Sequence, residues 1–165
     1  MSSEPLALER FGRLGEGGFD QLDLTDHPVS EEHVSLLCDQ IWENGGTTTL
    51  RRLVLQRCSL AVQALEPIGK LLSGGASYGT ASPIESLVLS GNDLGPEGLR
   101  GKAFLEGLKM TKNLKSLDLS CCCLLDEGIV PVCELLALRQ PAVHELPRLE
   151  ELTLGCNRLG PTGAA

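Results

Sequence analysis

A pattern of eleven residues dominated by leucine recurs five times in this chain, and no other feature restricts the fold as strongly. The clearest copy, at residues 84–94, reads I-x-x-L-x-L-x-x-N-x-L, where x is any residue. Successive copies begin 30 to 35 residues apart. A period of this length indicates a stack of similar structural units. The other copies occupy residues 19–29, 50–60, 114–124 and 149–159, and the first is the weakest.

The middle of each copy predicts a short β-strand with a buried pair of leucines. Side chains alternate between the two faces of a strand, so Leu87 and Leu89 point inward and the residues beside them point outward. Five such strands predict a parallel sheet whose leucine pairs stack in layers. The pairs are Leu22 and Leu24, Leu53 and Leu55, Leu87 and Leu89, Leu117 and Leu119, and Leu152 and Leu154.

The position after each strand predicts a turn held by one small side chain. Asn92 stands there in the clearest copy, and an amide both donates and accepts hydrogen bonds from the turning backbone. Cys58 and Cys122 occupy the same position, where a small thiol is readily buried. His27 does not fit this position, so a looser first repeat is expected.

Apolar residues at helical spacing lie between the strands and predict one helix per repeat. Ser30 is a suitable N-cap for the first helix. Pro96 is expected as the first helical residue of the third helix. Pro131 is tolerable only near the start of the fourth helix. The predicted helices span residues 30–42, 63–72, 96–110 and 126–138.

A longer phrase carries a family resemblance. Residues 87–98 read L-x-L-S-x-N-x-L-G-P-E-G, and residues 154–163 repeat most of it. Such repeats resemble the ribonuclease-inhibitor-like class of leucine-rich repeats. The resemblance implies an α/β solenoid with parallel strands on a concave face and helices on a convex face. The implied division is a helical cap or tail at 1–18 and repeats over 19–165, at 19–49, 50–83, 84–113, 114–148 and an incomplete 149–165.

The same resemblance implies a function in binding. Members of the class mostly bind other proteins through the concave face, so the chain is interpreted as a non-catalytic interaction module with a protein partner that the sequence does not identify. Two loops, at 73–83 and 139–147, form an alternative surface along one edge. The predicted contact residues are two columns of outward side chains: Gln21, Arg52, Ser86, Ser116 and Glu151, and Asp23, Val54, Val88, Asp118 and Thr153.

Charge and hydropathy argue against nucleic acid and membrane partners. The chain has 14 basic and 22 acidic residues and a net charge of -8, without the Lys and Arg clusters that bind phosphate backbones. No apolar run approaches the roughly 20 residues of a membrane helix. The N-terminal sequence MSSEPLALERF has no signal-peptide pattern. A cytoplasmic protein is expected, with the nucleus as the other possibility.

Seven cysteines without a C-x-x-C pair give no support for a zinc or thioredoxin-type site, and no cofactor is expected. Most are interpreted as reduced, buried thiols, with Cys38 and Cys133 on apolar helix stripes. Cys121 and Cys156 share the position just before the turn residue in adjacent repeats, which places them within disulfide range if their side-chain directions agree.

Catalytic motifs are absent from the sequence, so the chain is not expected to be an enzyme. Residues 95–102 resemble a phosphate-binding loop only superficially, because Ala103 stands where Ser or Thr is required. The resemblance leaves one regulatory alternative. Ran GTPase-activating protein has this repeat type, and Arg57, in the turn after the second strand, could act as its arginine does.

The last repeat predicts an uncovered end. Its strand and turn are present, but Gly160, Pro161 and Gly163 stand where a helix should begin. Leu152 and Leu154 would then lie at an open apolar end beside a free edge strand. The expectation is a longer solenoid, or end-to-end pairing with a second copy.

Overall fold

Five short parallel strands form a single sheet in the order of the chain, as the repeats predict. The computed structural model describes residues 20–43, 50–74, 82–137 and 149–160. We call each strand with the turn that follows it a rung. The strands are β1 (Gln21–Asp23), β2 (Arg52–Val54), β3 (Ser86–Val88), β4 (Ser116–Asp118) and β5 (Glu151–Thr153).

The strand register confirms the frame read from the sequence. Equivalent residues of successive copies lie side by side without a slip, and the central row consists of five leucines. A shift of one residue would move every leucine to the other face. The central row is Leu22, Leu53, Leu87, Leu117 and Leu152.

Helices connect the strands, and the first begins where its cap was expected. The backbone amide of His33 donates to the Ser30 hydroxyl over 3.3 Å, so Ser30 caps the helix. Two short 3-10 helices, Val62–Ala64 and Gly98–Arg100, precede the second and third helices. The α-helices are α1 (Glu31–Glu43), α2 (Leu65–Ser73), α3 (Lys102–Met110) and α4 (Leu125–Ala137).

Two expectations about proline were wrong. Pro96 does not start α3, because Gly101 adopts ψ of 119° and separates a 3-10 turn from the helix, which begins at Lys102. Pro131 is the seventh of the 13 residues of α4 rather than one of the first. Pro131 has no amide hydrogen to donate to the carbonyl of Glu127, one turn before it, and Glu127 is an exposed residue.

The stacked leucine pairs are fully buried in the three middle rungs and less so at the ends. Leu53, Leu87 and Leu117 are at most 1% exposed. Leu22 and Leu152 are only partly buried, because each end strand has a neighbour on one side within the described ranges. Burying a leucine contributes about 1.5–3 kcal/mol, so the middle rungs hold most of the core's stabilisation.

Helices α2 and α3 touch through their backbones. A Cβ atom added at Gly107 would overlap the carbonyl of Gly69, and one added at Gly69 would overlap the carbonyl of Ala103. Both glycines are buried. Their lack of side chains therefore permits the close packing of these two helices.

Several predictions fall outside the described residues. They are the helical cap or tail at 1–18, most of the loops at 73–83 and 139–147, and the last residues, 161–165.

Candidate functional site

The first predicted contact column lies on the concave face as one row of side chains. Arg52 and Glu151 are exposed, and the serines between them are half-buried. The Arg52 guanidinium donates to the Ser86 hydroxyl over 3.1 Å, and the Ser116 hydroxyl donates to Glu151 over 3.1 Å. The row starts at Gln21, which is exposed. After it come the cationic Arg52, the hydroxyls of the two serines and the anionic Glu151.

The second column corrects one expectation. Val54 and Val88 are 4% and 7% exposed, so they offer almost no surface to a partner. Each lies in an inner strand that has a neighbouring strand on both sides. Strand alternation gives the face on which a side chain lies but not its accessibility. Asp23, Asp118 and Thr153 remain accessible.

Asp23 is held in its charged form at the first end of this column. The hydroxyl and the backbone amide of Thr25 both donate to its carboxylate, over 2.6 and 2.9 Å. These bonds lower the pKa of Asp23 below its usual value. Asp118 accepts from the amide of Ser120 over 2.9 Å in the fourth rung. The two aspartates are thus fixed anionic points on the face.

The side chain of Arg57 forms an ion pair with Asp26 of the first rung. Its guanidinium donates to both carboxylate oxygens of Asp26, over 2.6 and 2.7 Å, and its side chain lies across Gly91. This pair lowers the pKa of Asp26 and raises that of Arg57. A residue acting on a bound nucleotide would first have to leave this bidentate pair, so the geometry gives no support for an arginine finger.

Sequence reasoning missed a ladder of alternating charge where the chain enters the strands. Lys115 and Arg51 both contact Glu85, over 2.6 and 3.4 Å. The pKa of Glu85 is lowered, chiefly by its hydrogen bond with Lys115. The second position of each copy of the pattern alternates between acidic and basic residues, and this alternation could have predicted the ladder from the sequence. The members in order are Asp20, Arg51, Glu85, Lys115 and Glu150.

The turn column binds successive rungs together. Asn92 accepts from the amides of Cys58 and Leu60 over 2.9 and 3.0 Å, and donates to the carbonyls of Leu55 and Leu89, both over 2.7 Å. Asn157 does the same between the fourth and fifth rungs. Each asparagine therefore caps the turn of the cysteine-bearing rung before it.

The buried cysteines of this column are donors. Cys58 donates to the carbonyl of Leu24 over 3.0 Å, and Cys122 to that of Leu89 over 3.3 Å. Burial raises the pKa of each thiol to about 11. His27 is exposed, and its ring Nδ1 lies 2.9 Å from the carbonyl oxygen of Thr25.

The expectation that most cysteines are buried was wrong. Three are buried and four are exposed. Cys121, Cys123 and Cys156 have positive φ angles of 54°, 56° and 60°. In these turns the adjacent residues, Cys122 and Asn157, are the buried ones. Cys133 also lies on the outward side of α4, whereas Cys38 is buried as predicted.

Metal binding and membrane insertion find no support in these residues. Over residues 20–43, 50–74, 82–137 and 149–160, no three His, Cys, Asp or Glu side chains are grouped to hold a metal ion. The helices in those ranges are too short or too polar to cross a bilayer.

These features define an α/β solenoid whose strands and helices alternate once per repeat. The family profile described as leucine-rich repeat matches residues 81–101 and 112–133. Ribonuclease inhibitor from Mus musculus is 30% identical over 146 residues, which are 88% of this chain and 28% of that protein. The chain thus spans little more than a quarter of the length of this curated relative. It is a leucine-rich repeat protein of the ribonuclease-inhibitor-like class.

Proposed function

We propose that this chain is a non-catalytic module that binds a protein partner through its concave face. The observation that supports the proposal is the strand register, in which the residues of each predicted contact column line up from strand to strand. Eight of the ten predicted contact residues remain accessible there: Gln21, Asp23, Arg52, Ser86, Ser116, Asp118, Glu151 and Thr153.

Charge favours a basic partner. The net charge of -8 attracts cationic surfaces and speeds their encounter with the chain. An enzyme that holds RNA must present Lys and Arg to the phosphates. The relative's name, ribonuclease inhibitor, points to the same class of partner. We therefore name a ribonuclease as the first partner to test, and the proposal gives no role to nucleic acid itself.

The test compares two double charge reversals that leave the net charge unchanged. Arg52→Glu with Asp118→Arg alters the concave face, whereas Glu106→Arg with Lys109→Glu alters exposed positions of α3. Binding to an immobilised ribonuclease and inhibition of its activity are measured. We expect the concave variant to bind at least about tenfold more weakly, because Asp118→Arg sets a cation against a basic partner and Arg52→Glu removes the hydrogen bond that orders Ser86 on the face.

The helix variant should bind like wild type. If neither reversal changes binding, the concave face is not the site. If wild type binds no ribonuclease, the same pair of variants is compared on partners captured from cell extract. Retention of those partners by both variants would then reject the concave face.

We also propose a reducing compartment, the cytoplasm or the nucleus, as the place of action. Cys58 and Cys122 are hydrogen-bond donors in the core, and only the reduced S–H form can donate. A fluorescent fusion found in the secretory pathway would contradict this.

A further inference from the structure

Two exposed thiols meet at the end of the fourth and fifth rungs. The register that pairs Asp118 with Thr153 continues through the turns, where the amide of Cys121 donates to the carbonyl of Gly155 over 2.7 Å. Cys121 and Cys156 therefore lie side by side, and the neighbouring Cys156 thiol raises the pKa of Cys121. Both are exposed and free.

The backbone gives the two side chains the same direction. Cys121 and Cys156 have φ of 54° and 60°, so their Cα–Cβ bonds leave equivalent turns in parallel. Neighbouring strands lie about 4.8 Å apart. A disulfide requires a Cα separation of about 4.4–6.8 Å. The expected Cα separation falls within this range, and a shift of a few tenths of an ångström would bring the two Cβ atoms within the roughly 3.5–4.5 Å that a disulfide also requires.

We propose that Cys121 and Cys156 form a redox-responsive dithiol that closes into a disulfide between the fourth and fifth rungs, with a small disulfide such as oxidised glutathione as the oxidant. One cysteine thiolate attacks oxidised glutathione, breaks its S–S bond and releases one glutathione. The second cysteine thiolate attacks the protein-bound sulfur and releases the other glutathione. One S–S bond is broken and one formed, and the two cysteine protons end on the two glutathione thiols.

The proposed bond acts where the stack is weakest. Leu152 and Leu154 of the fifth rung are only partly buried, so this rung has less apolar stabilisation than those in the middle. A covalent link to the fourth rung prevents the fifth from separating alone. Asp118 and Thr153, two of the predicted contact residues, lie three residues before the thiols. Oxidation would therefore also fix this end of the concave face.

The thiols are not expected to react unusually fast. The contact with Cys156 raises the pKa of Cys121, and burial and the nearby Asp118 act in the same direction. Because the thiolate is the reactive form, exchange is slow at neutral pH. The pair thus responds to sustained oxidation rather than to a brief pulse.

The test incubates wild type, Cys121→Ser, Cys156→Ser and the control Cys133→Ser in glutathione buffers of graded potential. Free thiols are then alkylated, and peptide mass mapping locates any bond. We expect a reversible bond between residues 121 and 156 in wild type and control, with a Tm about 10 °C above the reduced form. The two serine variants should show neither change.

Glutathione left on Cys121 without a link, or a bond from Cys121 to Cys123, would overturn the proposal. So would the expected bond without a rise in Tm. If a serine variant fails to fold, phenylarsine oxide decides, because it bridges only two nearby thiols. Protection of Cys121 and Cys156 together from alkylation supports the pair, and single or absent protection rejects it.

Discussion

Asn92 satisfies four buried backbone groups that belong to two neighbouring rungs. Asn92→Ala would strand two amides and the carbonyl of Leu55, and would leave the carbonyl of Leu89 with only the weak thiol bond from Cys122. Each buried group that loses its partner costs about 1–3 kcal/mol. Because some of them will find water, we expect a total loss of about 3 kcal/mol. Cys122→Ala removes only weak thiol bonds and should cost about 1 kcal/mol. Urea unfolding of both variants measures the difference, and equal losses would contradict this account of the turn.

Ser59 adopts a left-handed φ of 55° on the surface. A residue with a Cβ pays roughly 1–2 kcal/mol in this conformation, and glycine does not. After the greater chain entropy of glycine in the unfolded state is subtracted, Ser59→Gly should stabilise the protein by about 0.5–1 kcal/mol. Ala61→Gly, at an exposed extended residue with φ of -80°, should destabilise it by a similar amount. Thermal unfolding shifts of the same sign would contradict the strain at Ser59.

The sequence predicts the burial of a single residue well where the repeat alone determines the environment of that residue. The leucine pairs recur in every copy, and the four clearer copies have a small turn residue, Asn or Cys, so the burial of both follows from the repeat. The burial of Val54 and Val88 could not be read in this way, because it depends on the neighbours across a curved sheet. Arg57 and Asp26 are 31 residues apart in the sequence, so their ion pair could be predicted only with knowledge of the strand register.

Helices α2 and α3 depend on two glycines for their separation. Gly107→Ala would force a methyl group against the backbone of Gly69, and overpacking of this kind costs about 1–3 kcal/mol. Gly101→Ala is the matched control, because the space around Gly101 is open and its φ of -58° suits alanine. That variant should be neutral or slightly stabilising. Chemical denaturation distinguishes them, and a neutral Gly107→Ala would show that the helices can move apart freely.

Element types were predictable from apolar spacing, but element boundaries were not. Each strand and each helix lies within its predicted segment apart from shifts of a residue or so, except where local chemistry intervenes. Gly101 delays α3 by several residues, and Pro131 is accommodated inside α4. Both outcomes depend on whether a backbone carbonyl can find another partner, which periodicity does not record.

At the scale of the molecule, the exposed leucines of the fifth rung and the charge ladder have opposite effects on stacking. The fifth rung exposes part of Leu152 and Leu154, which favours contact with another rung. The charge ladder begins and ends on an acid, Asp20 and Glu150. A second copy stacked in register would bring these carboxylates together. The leucines of the fifth rung were predictable from the leucine period, whereas the opposing charge emerges only from the complete column.

We therefore propose that a second copy can stack end to end and that charge repulsion limits this association. Salt screens exposed charges beyond about 10 Å at 0.1 M, so raising the salt concentration should increase self-association. Asp20→Asn should increase it at low salt by up to about fivefold, the range of one exposed charge contact. Asp93→Asn, on an exposed turn of the third rung, makes the same charge change away from both ends and should have no effect. Sedimentation velocity measures the distribution. A monomer at every salt concentration would reject stacking, and equal effects of the two variants would reject the ladder as its cause.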